Sequence, residues 1–149
     1  MLALGIDPGT AICGYGLVEM KGSSLRPVFY GAVLTDKDWK PEDRLKQIHD
    51  DVADIIRHFS PEFMSIEKLY FNRNVNTAIP VAQARGVVLL AAAEQRLPIV
   101  EYTPMQIKKA VTGTGGGRLR FAPDADPAVA GGERAADHGY FGSPAQPVE

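Results

Sequence analysis

The chain has 149 residues, 45% of them hydrophobic, which is enough for one domain with a buried core. Its formal net charge of −2 excludes nucleic-acid binding through bulk charge, so such a partner would have to be met by a local basic patch. A single cysteine, Cys13, excludes an internal disulfide, no apolar run reaches membrane-spanning length, and the start MLALGIDPGT lacks the basic segment of a signal peptide, so a cytoplasmic protein with no membrane partner is expected.

Residues 2–6 form a short apolar run closed by Asp7-Pro8-Gly9, the pattern of a strand running into a turn, because proline and glycine stop a β-ladder. Residues 12–20 are rich in Tyr, Leu and Val and run into Lys21-Gly22-Ser23-Ser24, and residues 25–35 make a third strand. Short turns between the three predict an antiparallel meander. Cys13 falls inside the second of these strands, where inert packing is expected. The period then changes. Leu45, Ile48, Val52, Ile55, Ile56 and Phe59 recur at helical spacing over residues 42–59, and Pro41-Glu42 suits a helix start.

Residues 63–67 read as a strand ending in Glu67, and residues 72–76 as a polar, asparagine-rich loop. Residues 77–95 predict a second helix that is apolar on most sides, hence central or shared with a second subunit. Pro80 is placed in its first turn, where proline is tolerated, and a close helix–backbone contact would explain Gly86 in its middle. A strand over residues 98–102 and a short helix over 104–111, carrying Lys108 and Lys109, follow. From residue 113 the chain is dominated by Gly, Ala and Pro without any period, a composition that cannot bury enough apolar surface to offset chain entropy. The expected organisation is a mixed α/β domain over residues 1–112 and a disordered tail over residues 113–149.

Asp7 and Glu67 each stand at the C-terminal end of a hydrophobic strand. If those strands are neighbours, the two carboxylates meet at one edge of the sheet, and a hard divalent cation such as Mg²⁺ relieves their repulsion. Ions held there can activate a water and stabilise a leaving oxygen in phosphodiester hydrolysis. Spacing alone leaves a second reading equally open, in which Asp7 opens a D-P-G turn and Glu67 is a solvated strand end.

The segment LGIDPGTAICGYGLVE (residues 4–19) resembles the opening of the RuvC family of bacterial Holliday-junction resolvases. SIEKLYFNRNVNTAIPVAQARGV (residues 65–87) and EYTPMQIKKAVTG (residues 101–113) resemble later segments of that family, in order and with its spacing. LGIDPG alone also resembles the phosphate turn of sugar kinases and actin-like ATPases, but that reading needs a second DxG turn that the chain does not offer in a strand–turn context.

The resemblance implies a ribonuclease H-like mixed sheet flanked by helices and a homodimer that nicks four-way junction DNA with Mg²⁺ or Mn²⁺ in recombination and repair, alongside a junction branch-migration complex. Asp7 and Glu67 match the first two of the family's four catalytic carboxylates. Tyr70 and Phe71 fall where the family places an aromatic at the junction centre, and stacking on an unpaired base is the physical reason for a ring there. Lys108 matches a lysine near the scissile phosphate. Arg73 and Arg85 are further phosphate-contact candidates. The histidines show no ligand spacing: His49 and His58 lie on the polar side of a helix, and His138 lies in the tail.

The family continues past this point with a basic loop, an amphipathic helix and a final helix that carries two aspartates spaced DxxD. Residues 116–149 contain none of these: Asp124 and Asp126 are spaced DxD, and Asp137 ends an AAD triplet outside any helix-competent segment. The change falls inside a glycine run, as a shift of reading frame would produce. The expected fold therefore lacks the family's last helices and two of its four carboxylates. Two functions follow: a junction-resolving endonuclease with an incomplete site, or a catalytically dead junction-binding or dimerising fragment.

Overall fold

The structure, a computed structural model, describes residues 1–69 and 75–106. Tyr70, Phe71, Arg73, Lys108, the short helix beyond residue 106 and the 113–149 tail lie outside the described residues.

The five strands make one sheet in the order β3-β2-β1-β4-β5. β1 (Leu2–Asp7), β2 (Ile12–Lys21) and β3 (Ser24–Leu34) form the antiparallel meander, with a two-residue hairpin turn at Gly22-Ser23 where Gly22 takes φ 59°. β4 (Phe63–Glu67) lies parallel to β1, and β5 (Ile99–Tyr102) parallel to β4. A parallel neighbour needs a crossover, and α1 (Pro41–Phe59) and α2 (Val75–Glu94) supply the two crossovers.

Side-chain alternation assigns the two faces of the sheet. Leu4, Ile6, Cys13, Tyr15, Leu17, Val33, Met64 and Ile66 point to one face and are buried. Against them pack Ile48, Val52, Ile55 and Ile56 of α1 and Ala84, Val88, Ala91 and Ala92 of α2. The alanines of α2 allow it to lie close under the sheet. Cys13 is inert packing as expected, and burial pushes its thiol up to about 11. The opposite face carries Ala3, Gly5, Asp7, Gly14, Gly16, Ser65 and Glu67, with Tyr30 and Leu34 exposed beside them.

α1 begins at Pro41 with Glu42 and Asp43 in its first turn and ends at Ser60, which takes a left-handed conformation while its N–H donates to the Ile56 carbonyl. Asp51 is the one described polar residue among the buried ones. Gln47 donates to its carboxylate at 2.8 Å, and burial raises its pKa.

α2 differs from its sequence reading in two respects. It starts at Val75, so Pro80 is its sixth residue and lies past the first turn, where it removes one backbone bond. Burial of the flanking helix on the sheet outweighs that loss. No described residue makes the close contact expected at Gly86: a Cβ there would meet nothing among them within 4 Å, and the position is exposed.

His49, bland by sequence, ties the two helices together. Its Nε2 lies 2.9 Å from Glu94 of α2 and its Nδ1 3.1 Å from Asp50, which also takes Lys46. Hydrogen bonding to Asp50 raises the His49 pKa above its ordinary 6.5; burial opposes this, and the hydrogen bond and charge of Glu94 add to the rise. A raised folded-state pKa adds stability that is fully present below the unfolded value and is lost as pH rises through the folded one. His49→Gln is therefore expected to lower stability at pH 5.5 by about 0.5–1 kcal/mol and by much less at pH 9, as partly exposed pairs do. Urea unfolding at both pH values checks this, and an equal loss at each would refute it.

Candidate active site

The two acids singled out by sequence stand side by side. β1 and β4 are in parallel register with Ile6 opposite Ile66, and one residue further along each strand lie Asp7 and Glu67. Adjacent strands are about 4.8 Å apart, so both carboxylates leave the same end of the sheet on the same face, opposite the buried Ile6 and Ile66. Asp7 is exposed and Glu67 half-buried. Neither carboxylate makes a hydrogen bond or ion pair with any described residue.

Local structure holds each acid in place. After Asp7 the chain must turn at once, and a Cβ on Gly9 would sit 2.4 Å from the Ile12 carbonyl oxygen, so only glycine closes this turn without displacing backbone. Thr35 secures the far end of the turn: its N–H donates to the Ala11 carbonyl at 3.1 Å and its hydroxyl donates to the Thr10 carbonyl. Arg44 of α1 in turn donates from Nε to the Thr35 hydroxyl at 2.8 Å. Beside Asp7 in the ladder is Gly14, which places no side chain over the carboxylate.

Glu67 closes β4, and the following N–H, of Lys68, donates to the Tyr102 carbonyl of β5 at 2.8 Å. Tyr102 is opposite Glu67 in register and partly exposed. Two oxygen-bearing acids with no counter-ion among the described residues are a fit donor set for a hard divalent cation, which commonly takes one or two carboxylates and completes its shell with waters and phosphate oxygens. No group of three or more potential ligands occurs among the described residues.

Residues 3–120 match the family model for crossover junction endodeoxyribonuclease RuvC. The chain belongs to the RuvC family. A RuvC from Halothermothrix orenii is 52% identical over 115 residues, covering 77% of this chain and 70% of that protein. One from Brevibacillus brevis is 53% identical over 116 residues, with 78% and 70% covered. Thermus thermophilus RuvC in complex with Holliday junction substrate superposes with a TM-score of 0.75 at 35% identity over 80% of this chain and 73% of that one. The sheet and its helices are thus the ribonuclease H-like arrangement of this family.

In this RuvC-family chain Arg85, a phosphate-contact candidate by sequence, projects from α2 to the helix-covered side of the sheet. There its Nε donates to the Glu67 carbonyl at 3.3 Å and its Nη2 lies 3.0 Å from Glu101 of β5. The guanidinium is already engaged. Sequence reasoning also missed Thr35, Arg44 and Glu101, whose roles depend on partners 9–25 residues away or on another strand and leave no local pattern.

Proposed function

We propose that this chain is a RuvC-type endonuclease for four-way DNA junctions whose metal-binding pair is Asp7 and Glu67 and whose site is incomplete as written. The observation that carries the reading is the parallel register of β1 and β4, which sets the two carboxylates side by side on an open face in a chain matched to the family over residues 3–120. Asp7 and Glu67 would hold Mg²⁺, or Mn²⁺ in its place. Bound ions would generate the hydroxide nucleophile and stabilise the departing oxygen of the cleaved phosphodiester. The turn after Asp7 and the end of β4 keep the two carboxylates at a shared height, and the side-chain-free surface at Gly14 leaves room beside them.

Tyr70 and Phe71, three and four residues past Glu67 in sequence, are assigned to stacking on bases at the junction centre, and Lys108 and Arg73 to the phosphates. The cytoplasm, a homodimer and association with a branch-migration complex belong to the same reading. Among the described residues no helix is long and apolar enough to cross a membrane.

The second reading, a junction-binding or dimerising fragment without cutting activity, is favoured by one fact. The family match ends at residue 120, and no two aspartates beyond it are spaced DxxD. We assign residues 1–112 to the nuclease domain and residues 113–149 to a replaced tail.

Calorimetric titration with Mn²⁺ tests the pair. Weak binding is expected, because half of the family's carboxylates are missing, and Asp7→Asn should reduce it at least about 10-fold. Tight binding unaffected by Asp7→Asn would place the metal elsewhere.

A further inference from the structure

We propose that Arg85 is a positioning residue for Glu67, holding the backbone at the end of β4 so that the carboxylate points at Asp7. The inference rests on the reading of Asp7 and Glu67 as the metal-binding pair. A metal-binding pair is only as good as the fixed direction of its side chains, and that direction is set by the backbone that carries them. Asp7 is held from behind by the Gly9 turn and the Thr35 bonds. Glu67 is the last residue of its strand, and ladder ends fray more readily than ladder centres.

Arg85 meets this need from outside the sheet. Its side chain is only 15% exposed and links three elements at once: α2, which carries it, β4 through the Glu67 carbonyl, and β5 through Glu101. A guanidinium presents its donors in a rigid planar fork, so a bond to Glu101 at one nitrogen fixes where the other nitrogen aims. Holding the Glu67 carbonyl fixes its peptide plane and with it the Cα–Cβ direction. The carboxylate itself stays on the opposite face, with no partner among the described residues, open to a cation. A lysine ammonium keeps the charge near Glu101 but has no fork with which to hold the carbonyl as well.

The full chain and three variants, Arg85→Lys, Arg85→Ala and Asp7→Asn, are compared in Mn²⁺ affinity by electron paramagnetic resonance, well below each melting temperature. Exchange of the Lys68 amide is followed in the metal-free protein. Arg85→Ala and Arg85→Lys are both expected to weaken Mn²⁺ binding about 10-fold, as loss of a residue that orients a ligand typically does, and to speed Lys68 exchange. Arg85→Lys, which keeps the ion pair with Glu101, should melt close to the parent and so separates positioning from folding. Affinities within twofold of the parent in both Arg85 variants, with Asp7→Asn still weakened, would overturn the role of Arg85 and leave the metal pair standing. An unchanged affinity in Asp7→Asn would overturn both.

Discussion

On a synthetic four-way junction with Mg²⁺, the chain is expected to bind the DNA but to cut it at least about 1,000-fold more slowly than a version whose residues 116–149 are replaced by a helix bearing DxxD, a barrier difference of about 4 kcal/mol. Cutting requires ions held in fixed geometry around the scissile phosphate, and in the proposed site Asp7 and Glu67 supply only two of the four carboxylates that the family resemblance implies. Binding needs less. Rings that stack on bases and a few cations on phosphates suffice, and those residue types remain in the chain at Tyr70, Phe71, Arg73 and Lys108. With so few phosphate contacts, affinity should fall with salt along a shallow slope. Whatever slow cutting remains should vanish in Asp7→Asn. Efficient cutting by the unmodified chain, lost in Asp137→Asn, would show that the tail supplies the missing acid.

The second expected result is a dimer through α2 that a single charge disrupts. Ile79, Gln83, Gly86, Leu90 and Ala93 lie at helical spacing on the exposed side of this helix, with Ile79 52% and Leu90 51% accessible. A helix normally turns its polar side outward. This one buries Ala84, Val88, Ala91 and Ala92 against the sheet and still presents isoleucine and leucine to solvent. Gly86 sits mid-stripe with open space beyond it, so a second helix can approach closely there. In a two-fold contact every substitution acts twice. Losing two half-exposed leucines at about 1.5 kcal/mol each gives about 3 kcal/mol, so Leu90→Glu should weaken association about 100-fold or more, before charge repulsion is added. Sedimentation over a range of concentrations reads this directly. A parent chain that stays monomeric at high concentration, or a dimer indifferent to Leu90→Glu, would rule the contact out.

The division between what sequence and tertiary structure each settle is visible residue by residue. Periodicity alone placed α1 to within one residue of its start at Pro41, because an amphipathic helix on a sheet repeats its apolar face every turn. It also placed all five strands, the meander, and Asp7 and Glu67 at their ends, since strand alternation and turn residues are local signals. The start of α2 was less legible: its apolar surface on two sides erases the periodic contrast, and the helix runs two residues further back than the pattern indicates, past Pro80.

Beyond the meander, adjacency was not legible in the local pattern. Nothing between Asp7 and Glu67 in sequence dictates that β4 lies beside β1 and parallel to it; the α1 crossover and the shared burial of Ile6 and Ile66 decide that. The same holds for the bonds that support the site. The bonds of Arg85, a phosphate-contact candidate by sequence, left no local signal because its partners, the Glu67 carbonyl and Glu101, come together only when α2 packs under β4 and β5. His49 looked idle because Glu94 is 45 residues away along the chain. Sequence determined which residue types carry the chemistry and which surfaces are apolar, because those are properties of single residues and of local repeats. Tertiary packing decided which of them meet, because contacts distant along the chain leave no trace in local pattern.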